Sequence, residues 1–149
     1  MSGLVEFLKE KKRSASQVEE RREQLLKEWQ EAVSGLLSQI EDWLAPALSE
    51  GLNLKRYTVE IDEEGLGKYA APALEIEFEG IKVRIVPVGR LVIGACGRVD
   101  ITSPLGVYHL VRLGSDKTSW YLVRDSVDER KRLTKRVLEE LLEEIFDLL

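Results

Sequence analysis

The sequence predicts an α+β fold, with an antiparallel β-meander of about six or seven strands flanked by a long N-terminal helix and a C-terminal amphipathic helix. Apolar residues recur at helical spacing up to about Asn53, alternate with period two from Leu54 to about Arg124, and return to helical spacing at the end. The connections between strands are too short for parallel crossovers. No linker rich in proline, glycine or serine separates these zones, so residues 1–149 are predicted to form one domain.

The long N-terminal helix is predicted from a capping box and a continuous apolar stripe. Ser16 followed by Glu19 is typical of a helix start. The stripe consists of Val18, Leu25, Trp29, Val33, Leu36, Leu37, Ile40 and Leu44. Pro46 then stops or kinks the helix. A helix over residues 17–44 would be about 42 Å long, roughly the width of a compact domain of this size.

An apolar patch near the N-terminus lies apart from this stripe. Residues 9–22 are charged nearly all round, with Val18 as their only large apolar residue, so they should stand in water. The patch beyond them comprises Leu4, Val5, Phe7 and Leu8. Because a second chain is the simplest partner for this patch, residues 1–15 are predicted to be a helical extension that projects or packs on a partner. The predicted dimerisation residues are Leu4, Phe7 and Leu8.

The central strands have a register that the sequence specifies. A tight hairpin turn at Glu79-Gly80 gives the pairs Phe78–Ile81, Glu77–Lys82, Ile76–Val83 and Glu75–Arg84. The apolar pairs then fall on one face of the sheet and the oppositely charged pairs on the other. A slip of one residue would break every pair, so the register is strongly determined.

The other elements follow from weaker patterns. Alternation of Tyr57, Val59 and Ile61 predicts a first strand. Later strands are predicted near residues 91–95, 98–102, 107–113 and 119–124, separated by glycine-containing turns. A second capping box, Ser126 with Glu129, predicts the start of the C-terminal helix.

Composition limits the compartment and the classes of partner. Hydrophobic residues make up 44% of the chain and charged residues 33%, which is typical of a globular protein. The net charge of −5 argues against general nucleic-acid binding, although a local basic face stays compatible with it. Cys96 is the only cysteine, so no intrachain disulfide forms. With no export signal and no apolar run of about 20 residues, the sequence predicts a cytoplasmic protein without a transmembrane segment.

A catalytic role would depend on His109, the only histidine. A turn over residues 103–106 would place His109 opposite Asp100 on paired strands, and a carboxylate can orient an imidazole that acts as a general base. The alternative is a half-buried histidine with a structural hydrogen bond. No second histidine, calcium-type acidic loop or nucleotide-binding glycine motif is present, so no metal and no cofactor is predicted.

A binding surface is indicated by cations in the strand zone. Arg84, Arg98 and Arg112 are the predicted ligand- or partner-binding residues, because guanidinium groups bind phosphates and carboxylates. Trp120 is grouped with them because its ring could stack on a base. The alternative is a solvated strand face with local ion pairs.

Together these patterns favour a non-catalytic interaction or scaffold protein that forms a homodimer through its N-terminal helix, with another protein as a further candidate partner. Two alternatives stay open. The first is a small enzyme using His109 with Asp100 or nearby carboxylates. The second is a module that binds an anionic ligand, such as nucleic acid or a lipid head group, through the sheet arginines.

Overall fold

The computed structural model describes residues 3–90, 96–113, 119–124 and 129–149 and has the predicted α+β architecture. Its elements are helix α1 (Gly3–Leu44), a 3-10 helix (Ala45–Glu50), strands β1 (Asn53–Glu63), β2 (Gly67–Phe78), β3 (Ile81–Gly89), β4 (Arg98–Ser103), β5 (Gly106–Arg112), β6 (Trp120–Val123) and β7 (Lys131–Arg132), and helix α2 (Lys135–Phe146). Each strand pairs antiparallel with the next one, in the order β1 to β7. The predicted strand over residues 91–95 lies outside the described residues.

The β2–β3 hairpin has the predicted register. Ile76 pairs with Val83, and both side chains are fully buried. Glu75 pairs with Arg84 on the other face, where the Arg84 Nε atom lies 3.2 Å from the Glu75 Oε1 atom. The alternation of apolar and charged residues therefore fixed both the register and the orientation of these strands.

The turn of this hairpin uses a backbone conformation that favours glycine. The φ angles are +49° at Glu79 and +84° at Gly80, as a two-residue turn matched to the twist of the strands requires. The carboxylate of Glu77 accepts a hydrogen bond of 2.7 Å from the Gly80 amide and another of 2.8 Å from the Asn53 side chain. These contacts hold the turn closed.

The first helix begins earlier than predicted. It runs without a break from Gly3, so the start predicted at Ser16 is wrong. The residues before Ser16 are mostly good helix formers, and ion pairs at i,i+3 spacing, such as Glu10 with Arg13 at 3.3 Å, support them. The end is as predicted, since α1 stops at Leu44 and Pro46 lies at the start of the 3-10 helix.

The second helix begins later than predicted. Its N-cap is Thr134, whose hydroxyl accepts a hydrogen bond of 3.2 Å from the Val137 amide. The start predicted at Ser126 with Glu129 is wrong, because Glu129 precedes the helix and residues 131–132 form β7 beside β6; Ser126 itself lies outside the described residues. The Leu133 amide donates a hydrogen bond of 2.8 Å to the Trp120 carbonyl. The backbone just before α2 therefore pairs with β6 instead of forming further helical hydrogen bonds.

Strand β2 changes its buried face midway. Tyr69, Ala71 and Ala73 are buried in its first half, whereas Leu74 and Ile76 are buried in its second half. Pairing with β3 begins at Leu74, so the first half of β2 extends beyond β3 together with β1.

This extended half of the β1–β2 hairpin lies along α1. The Gln30 side-chain amide donates a hydrogen bond of 2.6 Å to the Ala70 carbonyl. Near the hairpin tip, the Arg22 guanidinium donates a hydrogen bond of 3.0 Å to the Leu66 carbonyl. The hairpin therefore follows the helix as far as Arg22, and the core lies between the two helices and the sheet face that carries Ile76.

Candidate functional site

The predicted pair of His109 and Asp100 is present on the solvent-facing side of the sheet. The two residues are directly opposite each other on β4 and β5, and the His109 Nδ1 atom lies 2.7 Å from the Asp100 Oδ1 atom. Arg98 joins them, because its Nε atom donates a hydrogen bond of 3.0 Å to the same Asp100 oxygen. Asp100 is thus shared by a guanidinium and an imidazole, and both hold it in place.

This group is oriented, but its cross-strand neighbours carry no nucleophile. The strand partner of His109 on β6 is Val123, and the partner of Asp100 on β3 is Val86. A general base needs a nucleophile or a positioned water within reach of the imidazole. The geometry therefore supplies the orienting half of a catalytic arrangement, and the direct strand partners on β3 and β6 are apolar.

Arg84 lies on the same face but belongs to a separate ion pair. It pairs with Thr102, which is two residues from Asp100 and so points the same way. Its own carboxylate partner is Glu75. The predicted arginines on this face are therefore each paired with an acid of this chain.

Arg112 lies on the opposite face, where it is 1% exposed. Its guanidinium donates a hydrogen bond of 2.6 Å to the Glu28 carboxylate and another of 2.8 Å to the Cys96 carbonyl. The ring centroids of Trp29 and Trp120 lie 5.3 Å and 5.8 Å from its central carbon, within the range of cation–π contacts. Arg112 and Trp120, predicted as binding residues, are therefore brought together in a buried cluster that joins α1 to the sheet.

A second polar network ties the same helix to the β1–β2 hairpin. The Tyr69 hydroxyl donates a hydrogen bond of 2.6 Å to the Glu63 carboxylate and accepts one of 3.1 Å from the Trp29 indole. Burial raises the pKa of the Tyr69 hydroxyl well above its ordinary value, and the adjacent Glu63 raises it further. The Glu63 carboxylate also accepts from the Arg90 amide, at 3.1 Å. Trp29 thus connects two networks that hold the hairpin against α1.

A cavity of about 540 Å³ opens beside this cluster, between α1 and strands β5 to β7. We call it the α1 groove; it is lined by Glu28, Glu31, Ala32, Gly35, Leu36, Gln39, Trp43, Arg112, Ser119, Trp120, Arg132 and Leu133. Gly35 is exposed, and a Cβ atom added to it would meet nothing within 4 Å. The groove therefore combines apolar and aromatic walls with a helix surface that a second backbone can approach closely.

The N-terminal part of α1 extends beyond the rest of the chain. Every residue from 3 to 21 is exposed, and Arg22 is the first that contacts the hairpin tip. The predicted dimerisation residues Leu4, Phe7 and Leu8 are 64%, 55% and 49% exposed. We call residues 3–21 the projecting segment.

Among the described parts of the chain, no group of three or more histidine, cysteine, aspartate or glutamate side chains is arranged to hold a metal ion. Within the same parts, no helix is both long and apolar enough to cross a membrane. Compared with known proteins, the chain matches no family model, no curated protein and no solved structure.

The groove was not predicted from the sequence, although one signal for it exists. Ala32 and Gly35 are small residues three positions apart, next to the apolar stripe of α1. Small residues at this spacing let a second helix come near, because the distance between packed helices depends on the side chains at the contact. The sheet-side wall of the groove, with Trp120 and Leu133, has no signal in the helix sequence.

Proposed function

We propose that this protein is a non-catalytic interaction module that associates with itself through the projecting segment of α1. The observation that carries the proposal is the exposure of Leu4, Phe7 and Leu8 at the end of a helix whose residues 3–21 are all exposed. In proteins most helices are stabilised by packing an apolar face rather than by helix propensity alone. A partner surface would supply that packing.

The hydrophobic effect gives the expected scale of this association. Full burial of one leucine or phenylalanine side chain contributes about 1.5–3 kcal/mol relative to full exposure. Leu4, Phe7 and Leu8 are about half to two-thirds exposed, so burial in a dimer would contribute about half to two-thirds of this free energy at each position. Each position counts twice, because both copies bury it. Such a gain is of the same order as the free-energy cost of the entropy lost on association.

The arginines of the sheet give less support to an anionic ligand. Arg84 has Glu75, Arg98 has Asp100 and Arg112 has Glu28 as a partner. A phosphate would have to displace a carboxylate at each of these positions. The favoured proposal is therefore self-association.

Multi-angle light scattering coupled to size-exclusion chromatography tests this proposal. We expect the wild-type chain to elute with the mass of a dimer. The triple variant Leu4→Ser, Phe7→Ser, Leu8→Ser should elute with the mass of a monomer, with the same circular dichroism from the sheet. A matched control, Glu6→Ser with Lys9→Ser, changes two exposed polar positions of the same segment and should stay dimeric. A wild-type chain that is monomeric at every soluble concentration would overturn the proposal.

A second candidate function is a small hydrolytic enzyme, favoured by the contact of 2.7 Å between His109 and Asp100. Its test is a panel of chromogenic ester and phosphoester substrates. An activity abolished by His109→Gln and reduced by Asp100→Asn, with both variants folded, would support it. Activity that survives His109→Gln would rule it out.

A further inference from the structure

We infer that the projecting segment of one copy occupies the α1 groove of a second copy, with the two α1 helices antiparallel. This inference rests on the proposed self-association and names its docking site. Both surfaces lie on the same helix, so a two-fold axis that places one segment in one groove places the other segment in the other groove. The same contact, formed twice, would cover Leu4 and Phe7 of both copies.

The spacing of residues on α1 gives the register. If Leu4 of one copy lies opposite Gly35 of the other, an antiparallel arrangement puts Phe7 opposite Ala32 and Lys11 opposite Glu28. The steps of three and four residues are those that keep side chains on one helix face. The two large apolar residues then meet the two small ones, which is the combination that lets helices pack at the short end of the usual 8–10 Å axial distance.

The surroundings of these small residues suit apolar side chains. Leu36 is buried beside them, and Trp43 and Trp120 form aromatic walls of the groove. The space above Gly35 is open on this chain, with nothing within 4 Å of an added Cβ. Leu4 and Phe7 therefore have apolar walls to contact and a clear path to the helix surface.

At the groove, charge favours the antiparallel direction, although the same register places Glu19 of one copy opposite Glu20 of the other at the two-fold axis. Residues 9–13 carry four cations, Lys9, Lys11, Lys12 and Arg13, against the single acid Glu10. The α1 edge of the groove carries the exposed Glu31 and also Glu28, whose carboxylate already binds Arg112, while Arg132 lies on the sheet-side wall. An antiparallel pair brings the basic stretch of one copy to this edge of the other copy. A parallel pair would instead place the basic stretches of the two copies against each other. Unlike charges steer association, and like charges directly opposed disfavour it.

The same segment is poorly suited to a membrane surface. A helix that lies in a lipid interface needs a long apolar face with cations along its other side. After Leu8, the only large apolar residue before Leu25 is Val18, and Lys11 falls in line with Leu4 and Val18. Apart from Val18, the large apolar residues of the segment are confined to its first turns, which fits a local groove.

Disulfide trapping tests the register and direction. In a Cys96→Ser background, we expect Leu4→Cys and Gly35→Cys chains, mixed and mildly oxidised, to form a mixed disulfide that peptide mass spectrometry identifies. Leu4→Cys alone should not cross-link, because the two cysteines of an antiparallel pair would lie about 46 Å apart along the axis. A matched control is Glu23→Cys, an exposed position on another side of α1, which should not cross-link to Leu4→Cys. Phe7→Cys mixed with Ala32→Cys gives a second pair in the same register.

The outcomes separate this inference from the proposed function. A dimer that yields a Leu4–Leu4 disulfide, or neither mixed disulfide, would overturn the antiparallel groove and leave self-association standing. A wild-type chain that is monomeric by light scattering would overturn both. A monomer that co-sediments with phosphatidylglycerol vesicles through Leu4 and Phe7 would assign the segment to a membrane surface and also overturn the groove as its site.

Discussion

The carboxylate of Glu28 and the guanidinium of Arg112 lie 2.6 Å apart, although the two residues are separated by 84 positions in the sequence. The Arg112 side chain is 1% exposed and the Glu28 side chain 39% exposed, so the pair lies where the core meets the α1 groove. Trp29 and Trp120 contact the guanidinium through their rings. This pair fixes the helix that forms one wall of the groove against the strands that form the other.

Removal of Glu28 should destabilise the fold. In Glu28→Ala, the Arg112 guanidinium keeps its hydrogen bond to the Cys96 carbonyl but loses its ion pair with the carboxylate. Loss of one partner from a buried ion pair lowers the free energy of unfolding by about 3–5 kcal/mol. Since Glu28 is more than a third exposed, water replaces part of the interaction, and we expect a loss of about 2–3 kcal/mol in the free energy of unfolding. The double variant Glu28→Met with Arg112→Met should lose less, because the buried Arg112 charge is removed together with its carboxylate; Arg90, whose Nε atom lies 3.7 Å from Glu28, loses that carboxylate in both variants. Urea denaturation measures both.

An exposed ion pair provides the control for this comparison. Arg136 and Glu140 lie one turn apart on α2, with side chains 88% and 56% exposed. Glu140→Ala should change the free energy of unfolding by no more than about 0.5 kcal/mol. An equal loss in Glu28→Ala and Glu140→Ala would show that the pair with Arg112 contributes no more than an ordinary surface contact.

The sequence predicted the hairpin register but not this pair, and the reason is the range of the signals. Ile76 and Val83 are seven residues apart, and the alternation around the Gly80 turn leaves one register that buries both. The side chains of Glu28 and Arg112 meet only once the helix has packed on the sheet. The residues next to each of them in the sequence therefore form no pattern from which this contact could be predicted.

The predicted starts of the two helices were wrong for a related reason. Ser16 and Ser126 each begin a local capping pattern, yet such a pattern is a start signal only when the preceding residues are not helical. The residues before Ser16 are helical. Strand β7 is only two residues long, Lys131–Arg132, which is too short for alternation to reveal. Of the candidate site, the opposition of His109 and Asp100 followed from turn length, whereas the groove required the packed fold.

Gly97 should be intolerant of any side chain. Its φ angle is +147°, and an added Cβ would lie 2.8 Å from the Trp29 Cη2 atom and closer still to Cζ3. Trp29 is fully buried and is held by Tyr69 and Arg112, so it cannot move aside cheaply. We expect Gly97→Ala to lower the free energy of unfolding by about 2–4 kcal/mol, from backbone strain together with overpacking.

Gly35→Ala, made in the Leu4→Ser, Phe7→Ser, Leu8→Ser background so that no second copy enters the groove, is the matched control for this substitution, because the added methyl group meets nothing within 4 Å on its own chain and the residue lies within α1. Alanine in a helix interior is more stable than glycine by roughly 0.5–1 kcal/mol, so this variant should unfold at a higher urea concentration. The opposite signs of the two changes make the comparison independent of the absolute stability. A neutral Gly97→Ala would contradict the close approach of Trp29.

The Tyr69 hydroxyl should make stability depend on alkaline pH. Burial and the Glu63 carboxylate raise the pKa of Tyr69 in the folded chain, whereas an unfolded tyrosine titrates near 10. The unfolded chain therefore releases this proton first. The contribution of Tyr69 is fully present below about pH 10 and is lost as the pH rises from there toward the folded pKa, by up to about 1.4 kcal/mol per pH unit.

Urea denaturation of wild type and Tyr69→Phe at pH 8 and at about pH 11 measures this contribution. At pH 8 the variant should be less stable, by roughly 1 kcal/mol, because it loses the hydrogen bonds to Glu63 and Trp29. At the higher pH the difference should shrink or reverse, because phenylalanine has no proton to release. Tyr108→Phe controls for the loss of a hydroxyl, since its ring lies against Arg124 and outside this network. A difference between wild type and Tyr69→Phe that stays constant with pH would mean that the hydroxyl titrates alike in the folded and unfolded chains, contrary to its burial against Glu63.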